Sequence, residues 1–212
     1  MKIEIWSDIM CPFCYIGKKR FDDAMAQFEH KNEVDVEWKS FMLSPDLVTD
    51  PDKNINQMLA EHKNIPLEEA KGMNDYVTKM ASEAGLTYNF DKTVVANSFN
   101  AHRFIHFAKQ YGKQSEAEER VFSGYFTEGK NIDDAQTLMT FAADLGLDTA
   151  KLANVMGSGA YTKDVVADIT EAQELGIRGV PFFVLDRKYA ISGAQDTATF
   201  LDTLEKAFAE GK

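Results

Sequence analysis

Two cysteines lie close together in Ser7-Asp8-Ile9-Met10-Cys11-Pro12-Phe13-Cys14, a stretch that joins a predicted strand to the first turn of a predicted helix. At a helix N-terminus, unpaired backbone N–H groups and the positive end of the helix dipole stabilise a thiolate. We therefore predict that Cys11 is a nucleophile and that Cys14, one turn further in, is the thiol that resolves a mixed disulfide. Pro12 and Phe13 complete the candidate redox motif, and Pro12 suits the first turn because its missing N–H would have no partner there.

The residues on both sides of this motif predict a β-α-β unit. Ile3 and Ile5 alternate with their neighbours, as in a short strand. A helix follows, with apolar residues from Phe21 onward at helical spacing and with Lys18-Lys19-Arg20 on its exposed side. Residues 34–38, in which apolar and charged residues alternate, indicate the second strand.

The C-terminal part of the chain predicts two more strands and a helix. Residues 180–185 and 189–191 are joined by a short polar turn, which is typical of a hairpin. Asp196 is a good N-cap for a last helix with an apolar stripe. The resulting order is β-α-β and then β-β-α, which predicts an α/β fold with a mixed four-stranded sheet covered by helices.

The middle of the chain has a different pattern. Residues 41–54 read as an irregular connection, and from there to residue 177 apolar residues recur at helical spacing, so we expect five or six helices and no strands. Several of these helices end at a glycine, such as Gly85, Gly112 or Gly146. No linker-like tract separates this block from its flanks. We therefore assign residues 1–40 and 178–212 to one domain and residues 41–177 to an inserted all-helical domain.

The composition excludes several kinds of partner. The 212 residues include 23 Lys and Arg against 34 Asp and Glu, a net charge of −11, which repels phosphate backbones and anionic lipid, so neither nucleic acid nor a membrane is expected as a partner. The longest apolar run, residues 180–185, is far shorter than the roughly 18 residues of a membrane helix, and the N-terminus has no signal-like apolar segment. We predict a cytoplasmic protein, in which a close cysteine pair is expected to carry out chemistry.

The histidines do not complete a metal site. A structural zinc site needs four ligands, and the chain has only one pair of cysteines. His102 and His106 share a helix face, but Arg103 stands where a metalloprotease motif has glutamate. We predict no metal and assign both histidines to a helix packing surface.

Pro181 begins the apolar strand in Gly179-Val180-Pro181-Phe182-Phe183. Proline is tolerated at the first position of a strand, and an X-Pro bond held there can be cis. Most prolines before strands are nevertheless trans and simply end a loop, so the residues alone leave both readings open.

Together these motifs resemble the DsbA-like branch of the thioredoxin-fold disulfide oxidoreductases, and within it the FrnE-like subfamily. The resemblance extends along nearly the whole chain. Besides the cysteine motif it rests on Asn97-Ser98 with Ala101-His102-Arg103, on residues 126–134, on Gly179-Val180-Pro181-Phe182-Phe183 and on Ile191-Ser192-Gly193-Ala194-Gln195. It implies a thioredoxin fold with a large helical insertion, and a cis Val180–Pro181 bond that lies opposite Cys11.

The resemblance also implies how a substrate is held. The backbone of Val180 is expected to pair with a bound peptide or glutathione as a short added strand. By the same analogy Ser192 and Gly193 lie near that ligand, although a polar strand end that leads into a helix would look the same.

Family members further keep a buried acid beneath the cysteines, which relays a proton to and from the second thiol. Counting back by the usual spacing gives Ile5, whereas allowing one extra loop residue gives Glu4. Glu4 is therefore the candidate relay, with a solvated strand residue as the alternative.

We expect a dithiol-disulfide oxidoreductase or isomerase that works on protein or small-molecule disulfides through Cys11 and Cys14. No tightly bound cofactor is expected, and glutathione or a thioredoxin-type reductant is the expected co-substrate. The direction is open, because such couples span about −270 to −120 mV.

Two alternatives remain. One is a glutathione-dependent isomerase or transferase that resembles 2-hydroxychromene-2-carboxylate isomerase or the kappa class, whose members generally lack the second cysteine. The other is a redox-inactive binding module or holdase. The presence of Cys14 favours disulfide exchange over the first of these.

Overall fold

The structure is a computed structural model and describes residues 1–211. The six strands of this described part are β1 (Lys2–Ser7), β2 (Asp35–Ser40), β3 (Asp50–Asn54), β4 (Val94–Val95), β5 (Phe182–Leu185) and β6 (Tyr189–Ser192). Its α-helices are α1 (Pro12–Gln27), α2 (Ile55–Lys63), α3 (Leu67–Glu83), α4 (Phe99–Lys109), α5 (Gln114–Phe122), α6 (Ala135–Asp144), α7 (Thr149–Ser158), α8 (Thr162–Glu174) and α9 (Thr197–Glu210). A 3-10 turn at Lys31–Glu33 and a π-helical turn at Ser123–Thr127 complete the secondary structure.

The chain forms two compact units. The first consists of residues 1–43 together with the chain from residue 166 onward, and the second of residues 44–165. The first unit thus includes residues 41–43 and 166–177, which the sequence-based division assigned to the insertion. These residues belong to it because Ala172 and Ile177 pack in one apolar cluster with Trp6 of β1.

The first unit is built on a mixed four-stranded sheet in the order β2-β1-β5-β6. Strand β1 is parallel to β2 and antiparallel to β5, and β5 forms an antiparallel hairpin with β6. The sequence of elements is β-α-β and then β-β-α, so the predicted thioredoxin-type topology is confirmed.

The two faces of this sheet have different neighbours. Because successive side chains of a strand point to opposite faces, Ile3 and Ile5 lie on one face of β1 and Trp6 on the other. Ile3 and Ile5 pack with residues of α1 and α9, including Phe21 and Phe200, in the main core of the unit. Trp6 belongs to the smaller cluster on the opposite face.

Helix α1 differs from its predicted orientation at one residue. Lys18, expected on the exposed side with Lys19 and Arg20, is 3% exposed and its ammonium group bonds to Asp22 Oδ2 at 2.6 Å. The aliphatic part of a lysine side chain can be buried against apolar neighbours when its charge is paired. The charge pattern of the sequence therefore identified the wrong face for this residue.

The second unit contains α2 to α7 and a short sheet that the sequence analysis did not predict. Strands β3 and β4 pair antiparallel within a block expected to be free of strands. Strand β3 has the sequence Asp-Pro-Asp-Lys-Asn, without the apolar alternation that indicates a strand. Its last residue, Asn54, caps α2 by accepting a hydrogen bond from the N–H of Gln57.

Within residues 1–211, no helix combines the length and the apolar character that crossing a membrane would require.

Candidate active site

Cys11 is the residue at which α1 begins. It is the N-cap, in an extended conformation, and Pro12 occupies the first helical position. Its N–H donates to the carbonyl of Asp8, and its own carbonyl accepts the N–H of Cys14, each at 3.0 Å. Among the described residues no side chain caps the helix. The Cys11 thiol therefore lies at the positive end of a 16-residue helix, where the sequence places the nucleophile.

Cys14 lies one turn further along α1 and is completely buried. Both cysteines are free thiols. Burial raises the pKa of Cys14 well above its ordinary value, and the hydrogen bond and charge of Cys11 raise it further, against smaller opposing effects from Asp8 and Ser7. At neutral pH Cys14 therefore holds its proton.

Val180 and Pro181 lie directly opposite Cys11. The Cys11 thiol donates to the carbonyl oxygen of Val180, with 3.5 Å between Sγ and O. The Val180–Pro181 peptide bond is cis, as the resemblance implies. The structure thus brings together two segments that are 169 residues apart in the sequence.

Gly17 of α1 permits the close approach of Pro181. A Cβ atom added at Gly17 would lie 2.8 Å from Cγ of the Pro181 ring, closer than atoms of this kind can approach. A glycine at this position therefore allows helix and proline to meet.

The residues that follow β6 are held next to Pro181 by hydrogen bonds. The N–H of Gly193 donates to the carbonyl of Pro181 at 2.8 Å. Arg20 of α1 donates from Nη1 to the carbonyl of Ala194 at 2.7 Å. Ser192, the last residue of β6, and Gly193 therefore lie next to Pro181.

Asp8 orders the loop in front of the cysteines, a role that the sequence analysis did not assign to it. Its buried carboxylate accepts the N–H of Met10 at 3.3 Å and the N–H of Leu43 at 2.7 Å. The bond to the residue two positions on is an Asx turn, for which an aspartate immediately after a strand is a sequence signal.

Glu4 does not lie beneath the cysteines. Its carboxylate is on the sheet face of Trp6, opposite α1, where it pairs bidentately with Arg187 and, at 3.4 Å, with Lys2. Burial acts to raise the pKa of Glu4, but the hydrogen bonds and charges of Arg187 and Lys2 outweigh it and lower the pKa overall. Ile5, the other position considered, faces α1 and carries no acid. The prediction that Glu4 is a proton relay is therefore corrected: Glu4 is part of an ion-pair network.

Apolar side chains are exposed around the cysteine motif. Phe13 is 38% exposed and Leu43, whose N–H bonds to Asp8, is 48% exposed. The thiols themselves are buried.

His102 and His106 lie in α4 of the second unit and are both buried. The ring of His106 is stacked on that of Tyr161, with ring centroids 6.4 Å apart. In the described part of the chain no group of three or more His, Cys, Asp or Glu side chains is arranged to hold a metal ion.

The chain is similar to a curated protein and to a solved structure at 30% identity or more. The uncharacterized protein YwbO of Bacillus subtilis is 30% identical over 217 residues, which cover 98% of this chain and 96% of YwbO. A solved structure of a probable DsbA oxidoreductase from Streptomyces coelicolor is 36% identical and superposes with a TM-score of 0.91, covering 99% of this chain and 91% of that chain.

A more distant structure shares the fold alone. The cytosolic disulfide reductase DsbM from Pseudomonas aeruginosa, solved without and with GSH, is 17% identical, with a TM-score of 0.66 over 99% of this chain and 96% of that chain.

The model of the DSBA-like thioredoxin domain matches residues 2–205, nearly the whole of this sequence. The chain therefore belongs to the DsbA-like thioredoxin domain family, whose members are generally oxidoreductases or isomerases.

Proposed function

We propose that this protein exchanges disulfides with its substrates through Cys11 and Cys14, as a dithiol-disulfide oxidoreductase or isomerase. The observation that carries the proposal is the asymmetry of the pair. Cys11 lies at the N-terminus of α1 and faces Val180 and Pro181, whereas Cys14 is buried behind it with a raised pKa. This asymmetry supports a role for Cys11 in attacking the substrate and for Cys14 in acting only afterwards.

In the first step the Cys11 thiolate attacks one sulfur of a substrate disulfide. The substrate S–S bond breaks, a bond forms between Cys11 and that sulfur, and the other substrate sulfur leaves as a thiolate that takes up a proton. The helix N-terminus stabilises the attacking thiolate.

In the second step Cys14 loses its proton and attacks the Sγ atom of Cys11. The Cys11–Cys14 disulfide forms and the second substrate sulfur leaves, taking up a proton, so two electrons have passed from the protein to the substrate. Two molecules of glutathione, or one dithiol reductant of the thioredoxin type, would return the pair to the dithiol and become oxidised themselves.

Val180 supports the binding of an extended substrate. Its carbonyl accepts from the Cys11 thiol, and once that sulfur is engaged in a mixed disulfide the same oxygen is available to an N–H group of the substrate. Ser192 and Gly193 are next to Pro181 and belong to the same proposed binding surface, to which Phe13 adds exposed apolar area.

Glutathione is the co-substrate that we propose, with a cytoplasmic location and net reduction as the direction. DsbM, which shares the fold, is a cytosolic disulfide reductase and has been solved with GSH. A close pair of free thiols suits a reducing compartment.

Two cysteine variants test the proposed function with a chromogenic model disulfide. Cys11→Ser is expected to abolish turnover because the attacking sulfur is lost. Cys14→Ser is expected to form the mixed disulfide once and to hold it, which mass spectrometry would detect as an adduct on Cys11. Turnover that persists in Cys11→Ser would sink the proposal.

A titration against glutathione redox buffers separates this proposal from its alternatives. A two-electron couple assigned to Cys11 and Cys14 supports disulfide exchange, and its potential gives the direction. Tight binding of glutathione without any such couple would instead favour an isomerase or transferase of the 2-hydroxychromene-2-carboxylate isomerase or kappa type. Chaperone-like binding that persists without both cysteines would favour a binding module.

A further inference from the structure

The buried position of Cys14 raises a chemical question about the second step. Its sulfur must carry negative charge when it attacks Cys11, yet burial holds the pKa of this thiol well above its ordinary value. Neither position considered for a buried acid can supply a group that takes the proton of Cys14. Glu4 lies on the other face of the sheet, and Ile5 is apolar. Some other group must stabilise the thiolate.

Ser7 is buried on the side of the sheet that faces α1. It is the last residue of β1 and 1% exposed, and the alternation of the strand places it on the same face as Ile3 and Ile5. Its carbonyl accepts the N–H of Phe41 at 2.9 Å. Its hydroxyl, in contrast, is buried without a hydrogen-bond partner of ordinary length in the part of the chain that the structure describes.

The interaction of the Ser7 hydroxyl with the Cys14 sulfur favours the thiolate form of Cys14. The backbone of Asp8 acts to lower the pKa of Cys14, and the Ser7 side chain adds a smaller effect in the same direction, against the larger effects of burial and of Cys11. The other charges on this side are engaged elsewhere. The carboxylate of Asp8 binds the N–H groups of its loop, and the ammonium group of Lys18, one turn beyond Cys14, binds Asp22.

We propose that Ser7 is a catalytic residue of the second step, which donates its hydroxyl hydrogen bond to the thiolate of Cys14. The inference rests on the proposed function. A buried hydroxyl without a partner is unfavourable in the resting dithiol, and a charge on Cys14 Sγ gives it one, so the interaction strengthens where charge develops. The hydroxyl keeps its own proton. The proton lost by Cys14 is balanced by the proton that the departing substrate sulfur takes up.

A chromophoric thiol bound to Cys11 as a mixed disulfide makes the second step visible. In Ser7→Ala we expect formation of the mixed disulfide to slow less than the second step does, because the proposed hydrogen bond goes to Cys14 and not to Cys11. Release of the chromophore by Cys14 is expected to be about tenfold slower, and its pH profile to move to higher pH, since a hydrogen bond to a charged group is lost.

Ser7→Thr and Ser7→Val form a matched pair that isolates the hydroxyl. The two side chains have nearly the same shape, so any effect of packing is shared and only Thr retains the donor. Release is expected to be about tenfold faster in Ser7→Thr than in Ser7→Val, with similar thermal melting temperatures. This comparison remains decisive even where Ser7→Ala folds poorly.

The outcomes distinguish this inference from the proposed function. Equal release rates and equal pH profiles in Ser7→Thr and Ser7→Val, while Cys14→Ser still traps the mixed disulfide, would overturn the role of Ser7 and leave disulfide exchange intact. Turnover in Cys11→Ser would overturn the proposed function itself.

Discussion

At the scale of single residues, Gly17 controls how closely α1 and Pro181 approach. Gly17→Ala would place a Cβ atom 2.8 Å from Pro181 Cγ, so helix or proline must move. Overpacking of this kind typically costs about 1–3 kcal/mol. We expect the free energy of unfolding to fall by that amount, and disulfide exchange to slow because Pro181 no longer faces Cys11 at the same distance.

Gly72→Ala is the matched control for this substitution. Gly72 lies in α3, and a Cβ atom added there meets nothing within 4 Å. Because alanine is the better helix former, this variant should be more stable by up to about 1 kcal/mol. Denaturant unfolding measures both variants, and a Gly17→Ala protein as stable and as active as Gly72→Ala would contradict the expected contact.

The sequence alone predicts some residues of the candidate site and misses others. Cys11, Cys14 and Pro181 are candidates that the sequence alone provides, because the chemistry proposed for them needs particular residue types in particular places. Glu4 was assigned by counting along β1, and a change of one residue in such a count moves a side chain to the other face of the sheet. Asp8 follows a strand directly, which is a signal for an Asx turn that the prediction did not use. Ser7 carried no pattern of its own, since its significance lies in what surrounds it in space.

At the scale of elements, an ion pair joins β1 to the turn between β5 and β6. The Glu4 carboxylate is almost completely buried and pairs with Arg187, whose side chain is 42% exposed. We expect Arg187→Leu to lower the free energy of unfolding at pH 7 by about 1–3 kcal/mol, less than for a fully buried pair because solvent screens the arginine.

The pH dependence of this loss follows from the lowered pKa of Glu4. The pairing stabilises the folded protein fully above the ordinary pKa of 4.5 and is lost as the pH falls through the lower folded value. The difference in stability between wild type and Arg187→Leu should therefore narrow below pH 4.5. Urea unfolding at a series of pH values measures it, and a difference that stays constant into acid would contradict the assignment.

Helices and strands whose apolar residues recur at a regular spacing were predicted from the sequence, and a strand without such a spacing was missed. The strands of the main sheet have alternating or continuous apolar residues, because their side chains enter a core. Strand β3 consists of four polar residues and a proline, all exposed or half-buried, and pairs with the two residues of β4. Its amino-acid composition does not indicate that it is a strand, because it pairs with a segment about 40 residues away in the sequence.

At the scale of the whole molecule, the net charge of −11 bears on the choice of substrate. Lys19 next to the cysteine motif pairs with Asp23 at 2.5 Å, and Lys18 is likewise paired with an aspartate. The local basic residues are thus largely neutralised by their neighbours. We expect a cationic disulfide such as cystamine to react faster than anionic oxidised glutathione at low ionic strength.

Salt provides the control for this expectation. Because the Debye length shortens to about 10 Å at 0.1 M salt, the preference for the cationic disulfide should shrink as salt is added. Stopped-flow rates with both disulfides over a range of salt concentrations measure it. A preference that does not depend on salt would point to contacts at the site and not to the overall charge.

The order of the chain has a consequence for the protein during its synthesis. Cys11 and Cys14 emerge first, whereas Val180 and Pro181 follow 169 residues later. At about 5–20 residues per second, roughly 10–30 s pass before the partner segment leaves the ribosome. Throughout that interval the two thiols belong to a chain that cannot yet complete its sheet, so a reducing environment would be needed to keep them from forming disulfides with other nascent chains.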